Sequence, residues 1–200
     1  MTIIGKASLA LVLGFGLLAA HPSAAQEPQS DSLQITLVQV QAVAGQPRFR
    51  VELHNAGDRA LILNLGMMLA NGKKQYADAI HLLLTDAHGK TLRLELTGPA
   101  YVAGRIDPFV VPLPEGATLT LPIDLEDYSS PRQHVLKLSF APGQYSLSAE
   151  YTGAGVSQQS ANLDMKGISL MPYWIGTVKS NVLPFTVTQS SGMPRALISR

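Results

Sequence analysis

The chain contains no cysteine. That excludes a disulfide scaffold, a thiolate metal site and a cysteine nucleophile. Charge is also scarce, at 14% of residues against about a quarter in an ordinary globular domain. The signs balance, with 15 Lys and Arg against 14 Asp and Glu. Without a net positive field to collect phosphates, no nucleic-acid partner is predicted. Disorder is excluded by the low net charge together with 46% hydrophobic residues. No Asn stands two residues before a Ser or Thr, so the N-glycosylation acceptor is missing. No apolar run reaches the roughly 20 residues of a membrane-spanning helix.

The longest apolar run, Ala7 to Ala20, lies near the start and spans fourteen residues. A single cation, Lys6, precedes it, and His21-Pro22 and Ser23-Ala24-Ala25 follow. A positive start, a short apolar centre and small residues at the −3 and −1 positions spell a secretory signal peptide over 1–25, cleaved before Gln26. Its removal takes away Lys6 and no acid, leaving 14 basic against 14 acidic side chains. No second long apolar stretch follows, so no membrane insertion is expected after cleavage, and the protein is predicted to be secreted or periplasmic. Residues 26–31 read as a flexible leader, 32–188 as one domain and 189–200 as a polar, proline-broken tail.

Within 32–188 the apolar residues recur with a period of two. Leu33, Ile35 and Leu37 alternate with polar neighbours, as do Phe49, Val51 and Leu53. Leu61–Leu65, Leu92–Leu96, Leu119–Ile123, Tyr145–Tyr151 and Leu183–Val187 repeat the pattern, and Ile80–Leu84 is a further apolar run. Alternation puts one face on a core and the other in water, the habit of antiparallel strands. Turn-forming residues separate the runs at Asn55-Ala56-Gly57-Asp58, Asn71-Gly72, Asp86-Ala87-His88-Gly89 and Pro112 to Gly116. Short helical turns fit only near Asp127–Ser130 or Ala77–Ile80. The fold class predicted is all-β, an antiparallel β-sandwich with additional strands.

Pro142-Gly143-Gln144-Tyr145 turns the chain into the strand ending at Tyr151. A Tyr at the start of a late strand, just after a corner, can bond its hydroxyl to backbone a few residues upstream. Tyr145 is therefore the predicted structural corner. Pro142 to Tyr151, followed by Gly176 to Val187, resembles the last two strands of immunoglobulin-like β-sandwich domains in secreted bacterial proteins of unknown function. Leu119 to Leu125 is similar to the strand before that corner. Val51 to Asp58 is similar to the opening strand and turn of such modules, and loosely to the bacterial intracellular proteinase inhibitors. The resemblance implies an immunoglobulin-like sandwich and carries almost nothing about function.

Signals for catalysis are few. His54, His81, His88 and His134 show no zinc-ligand spacing. There is no Gly-x-Ser-x-Gly elbow, phosphate loop or dinucleotide fingerprint. Asp124, Glu126 and Asp127 form the main acidic cluster, with Asp124 and Glu126 expected on one face of a strand, a sparse set of oxygens for Ca²⁺. Pro172-Tyr173-Trp174, with the sole tryptophan, lies in the long connection between the last two strands. The indole either covers one end of the core or serves as an aromatic anchor for a partner on a loop. No cofactor and no enzyme activity are expected. The predicted function is a non-catalytic binding or structural module of the bacterial envelope, with an unknown protein or glycan as partner. A protease inhibitor using the Pro-aromatic segment as a wedge is the alternative, and a hydrolase with a loop-built site is the second.

Overall fold

A computed structural model describes residues 32–43, 46–69, 72–98, 105–155 and 171–188. The period-two runs all become strands. They are β1 (Leu33–Val43), β2 (Gln46–Asn55), β3 (Leu61–Leu69), β5 (Ile80–Asp86), β6 (Thr91–Leu96), β8 (Thr118–Ile123), β10 (Gly143–Gly153) and β12 (Leu183–Val187). Four more strands carry weak alternation or none: β4 (Lys74–Tyr76), β7 (Ile106–Leu113), β9 (Tyr128–Ser129) and β11 (Gly176–Lys179). The fold is all-β, and every strand pairing is antiparallel.

Among the described residues the strands form three sheets, ordered β1-β2-β8, β4-β3-β7 and β11-β10-β5-β6-β9. β12 joins the last sheet on β10, pairing with Gly143–Leu147, while β11 pairs with Glu150–Gly153. Both lie on the side of β10 away from β5, as one edge strand broken at Ser180-Asn181-Val182. The break has a use. Ala149 donates its N–H to Ser180 Oγ (2.8 Å), and the Asn181 amide bonds both the N–H (2.9 Å) and the carbonyl (3.1 Å) of Leu37 on β1. A side-chain amide thus stands in for a strand and ties the six-stranded sheet to β1.

The apolar face of each strand feeds one core. Leu33, Leu37, Val51, Leu53, Leu61, Leu63, Ile80, Leu82, Leu94, Leu147 and Tyr151 are all buried within a single cluster. Each such aliphatic side chain, moved from water to the interior, contributes about 1.5–3 kcal/mol. Asn55, read from sequence as a turn residue, is also fully buried. Its Nδ2 donates to the carbonyls of Arg59 (2.8 Å), Leu113 (3.0 Å) and Pro114 (3.1 Å), and its Oδ1 accepts from Gly57 N–H (3.1 Å). It holds the end of β2 to the β7–β8 connection. The hairpin joining β5 to β6 is as expected, with Gly89 at φ +80°.

Some local expectations are corrected. Pro112, expected in a turn, lies within β7 as Pro108 does; among the described strands β7 pairs only with β3, so the missing N–H groups cost the ladder little. Leu125–Asp127 is a 3₁₀ turn, not a strand continuation. Ala77–Ile80 makes a turn that opens into β5. The signal peptide (1–25), the leader (26–31) and the tail (189–200) lie outside the described residues. No described helix is long and apolar enough to cross a membrane.

Candidate functional site

The Pro172-Tyr173-Trp174 segment is fastened to β3. Ile62 donates its N–H to the Pro172 carbonyl (2.9 Å), and Trp174 donates its N–H to the Ile62 carbonyl (2.9 Å). This is one step of parallel pairing. The Trp174 side chain is 0% exposed. Its ring lies 5.5 Å from that of Tyr151, and two glycines leave room for it. A Cβ on Gly153 would stand 2.6 Å from the indole, and one on Gly176 3.2 Å. These glycines face each other across β10 and β11. Trp174 therefore covers the core, the first of the two places that the sequence leaves open for it. Pro172 and Tyr173 are half-buried.

Tyr145 occupies the corner. Its hydroxyl donates to the Ala141 carbonyl, four residues upstream, at 3.0 Å. Its ring stacks on Phe185 (5.6 Å) and meets Phe140 edge-on (5.5 Å). Phe185 in turn meets Phe49 of the facing sheet edge-on at 5.2 Å. This aromatic column fills one end of the core and fixes the backbone of β10 and β12 above it.

Over that backbone lies an open groove of about 530 Å³, lined by Thr85, Asp86, Ala87, Gln144, Tyr145, Ser146, Pro184, Phe185 and Thr186. Strand register explains its chemistry. Leu84, Leu147 and Phe185 point into the core. Their neighbours Thr85, Ser146 and Pro184, aligned across β5, β10 and β12, therefore turn outward, as do Gln144 and Thr186 one rank along. Thr91 on β6 extends the first rank, with its Oγ1 2.8 Å from Thr85 Oγ1. The charged group of the lining, Asp86, is occupied by its own turn, where Oδ1 accepts from the N–H groups of His88 and Lys90 (both 2.9 Å).

A charged row crosses the same sheet further along. Glu150 is 8% exposed and pairs with Arg93 (2.7 Å) and Lys179 (3.4 Å). Burial pushes its pKa up, but the two cations outweigh burial and hold it below the usual carboxylate range. His81 sits opposite Glu150 on β5, and its Nδ1 is buried without a hydrogen-bond partner. Burial, then the Arg93 charge, lower its pKa, so the ring favours the neutral form. This row crosses four strands, with Arg93 on β6, His81 on β5, Glu150 on β10 and Lys179 on β11.

The remaining polar candidates are not brought together. Asp124 caps the 3₁₀ turn by accepting from Glu126 N–H (3.1 Å) and lies 3.7 Å from Arg48. Asp124 and Glu126 thus do not share a strand face, because the chain turns between them. Among the described residues, no three His, Asp or Glu side chains group to hold a metal ion. His54 Nδ1 meets Thr118 Oγ1 at 3.0 Å on an exposed face, and His88 and His134 belong to turns. The groove itself escaped sequence reasoning, because cross-strand alignment is invisible in one dimension. Its trace in the sequence is Gln144, Ser146 and Ser148 alternating along the Leu147 strand, and Thr85 beside Leu84.

No family model matches the chain. No curated protein matches it either. Among solved structures it is similar to a Northeast Structural Genomics Consortium target, SoR45, at 12% identity and a TM-score of 0.33, covering 80% of this chain and 88% of that one.

Proposed function

We propose that this chain is an exported, non-catalytic binding module of the bacterial envelope, built on an immunoglobulin-like sandwich. The observation that carries the binding reading is the groove over β5, β10 and β12. It presents hydroxyl and amide groups on a hydrogen-bonded sheet, and among the described residues its lining holds no histidine or cation. Such a surface recognises: its one carboxylate, Asp86, is already bonded within its own turn, and no described cation of the lining stands ready to stabilise an oxyanion. A sheet-borne site also loses little entropy on contact, since its backbone is already ordered. The immunoglobulin-like reading is supported by the Tyr145 corner bond and by facing antiparallel sheets around one core. Export is supported by the pattern of residues 1–25.

The inhibitor alternative needs an accessible wedge at Pro172-Tyr173-Trp174, and the buried indole withholds its main part. The binding reading is tested by incubating the secreted chain with panels of peptide, ester and glycoside substrates and of serine and cysteine proteases. No turnover and no inhibition are expected. Turnover abolished by a substitution in the chain would replace the binding reading with the hydrolase reading.

A further inference from the structure

The groove's lining narrows the chemical class of its ligand; this step rests on the binding reading above. Three adjacent strands place hydroxyls side by side: Thr91 on β6, Thr85 on β5 and Ser146 on β10. One rank along, Gln144 and Thr186 face each other across β10 and β12. Neighbouring strands lie about 4.8 Å apart and alternate residues along a strand about 6.6 Å apart. The result is a grid of five neutral groups, and each hydroxyl or amide among them can both donate and accept a hydrogen bond.

Charge selects among ligands. A phosphate, a carboxylate or a nucleic acid needs cations, and among the described residues the lining has none. A cationic ligand would meet a single carboxylate, Asp86, whose Oδ1 already accepts from two backbone N–H groups of its own turn. A hydrophobic peptide needs an apolar pocket, but Phe185 is 5% exposed and turned to the core, which leaves Ala87 and Pro184 as separate small apolar groups among polar ones. What remains is a ligand that is neutral, dense in groups that donate and accept, and long enough to cross several strands. We infer that the grid of Thr85, Thr91, Gln144, Ser146 and Thr186 binds a neutral oligosaccharide. The strand spacing is about the length of one pyranose ring, so successive sugars would meet successive strands. Because each exposed hydroxyl gives up water to bind, affinity should be modest and should grow with chain length.

The test is titration calorimetry of the mature full-length chain with neutral hexasaccharides (cellohexaose, maltohexaose and chitohexaose), with hexagalacturonate as the anionic counterpart. At least one neutral hexasaccharide should bind saturably and more tightly than its own trisaccharide. Ser146→Arg places a long side chain in the middle of the outward face and should weaken that binding about tenfold or more. Gln144→Ala should weaken it about two- to tenfold, the equivalent of one neutral hydrogen bond. A control comes from the β1-β2-β8 sheet: His54→Ala on β2 should leave binding unchanged. Unchanged melting curves certify the folding of each variant, and Gln144→Ala, a truncation of an exposed side chain, keeps the test alive if Ser146→Arg misfolds. Failure of all three neutral hexasaccharides to bind, tighter binding of hexagalacturonate, or neutral binding indifferent to both groove substitutions would each overturn the ligand class. Glycoside turnover would instead overturn the non-catalytic reading beneath it.

Discussion

Trp174 fills the space that Gly153 and Gly176 leave open, and its ring packs on Tyr151. Trp174→Ala should therefore cost about 3–5 kcal/mol, the usual penalty for deleting a large buried aromatic. Urea melts measure this, and emission from the sole tryptophan should be blue-shifted and poorly quenched by iodide. A loss below about 1 kcal/mol, typical of a surface change, would return the indole to the surface. The two tyrosines of β10 differ in the same way. Tyr151 is fully buried and its hydroxyl donates to the Asn64 carbonyl at 3.1 Å, whereas the Tyr145 bond to Ala141 lies on the surface. Tyr151→Phe strips a partner from a partly buried carbonyl and should cost about 1–3 kcal/mol. Tyr145→Phe should cost about 0.5–1.5 kcal/mol, since water replaces its hydroxyl. Equal melts for the two variants would contradict this ordering. Sequence placed Tyr145 at a corner because Pro142-Gly143 precedes it; that Tyr151 matters more depends on depth, which the strand pattern does not encode.

Among the elements, the broken edge strand β11–β12 is the most consequential. Asn181 replaces a missing strand partner for Leu37, and Ser180 does the same for Ala149. Asn181→Ala removes both bonds to β1 and leaves a backbone N–H and a carbonyl unpaired in a partly buried place. The expected cost is about 1–3 kcal/mol, read as a lower urea midpoint with unchanged slope. Hydrogen exchange should rise first at the Leu37 amide; if it stays protected, the clasp is not what closes the sheets. The Gly176–Val187 stretch looks like one strand in sequence because Val178, Leu183, Phe185 and Val187 are apolar. The break follows from Asn181 finding β1, a contact 144 residues away in the chain.

At the scale of the whole molecule, acid should act in two stages. His81 has a folded pKa below its ordinary value of 6.5, so the folded state resists taking up its proton. Its contribution is complete above that value and is lost as pH falls through it. Glu150 is held below its ordinary value of 4.5 by Arg93 and Lys179, so its contribution is lost only at lower pH. Melts between pH 7 and 5 should show a decline that His81→Gln abolishes, while Glu150→Gln should flatten the decline below pH 4.5. A pH profile unchanged by His81→Gln would show that the buried imidazole does not govern it. Export is checked at the same scale: mass spectrometry of the secreted chain should find Gln26 first, and a mature protein retaining Lys6 would refute the signal peptide.

The strand runs, the hairpin at Gly89 and the all-β class are legible in the chain because they depend on near neighbours. Alternation by two dictates a strand with one buried face wherever it occurs, and absent cysteine and balanced charge exclude whole chemistries without any fold. Which strands become neighbours is a different matter. The alignment of Thr85 with Ser146, the packing of Trp174 against Gly153 and Tyr151, and the Leu113 and Pro114 carbonyls gathered by Asn55 join residues far apart in the chain. Those meetings are decided by sheet order and register, which minimise buried polar groups over the whole core at once and so emerge only in three dimensions.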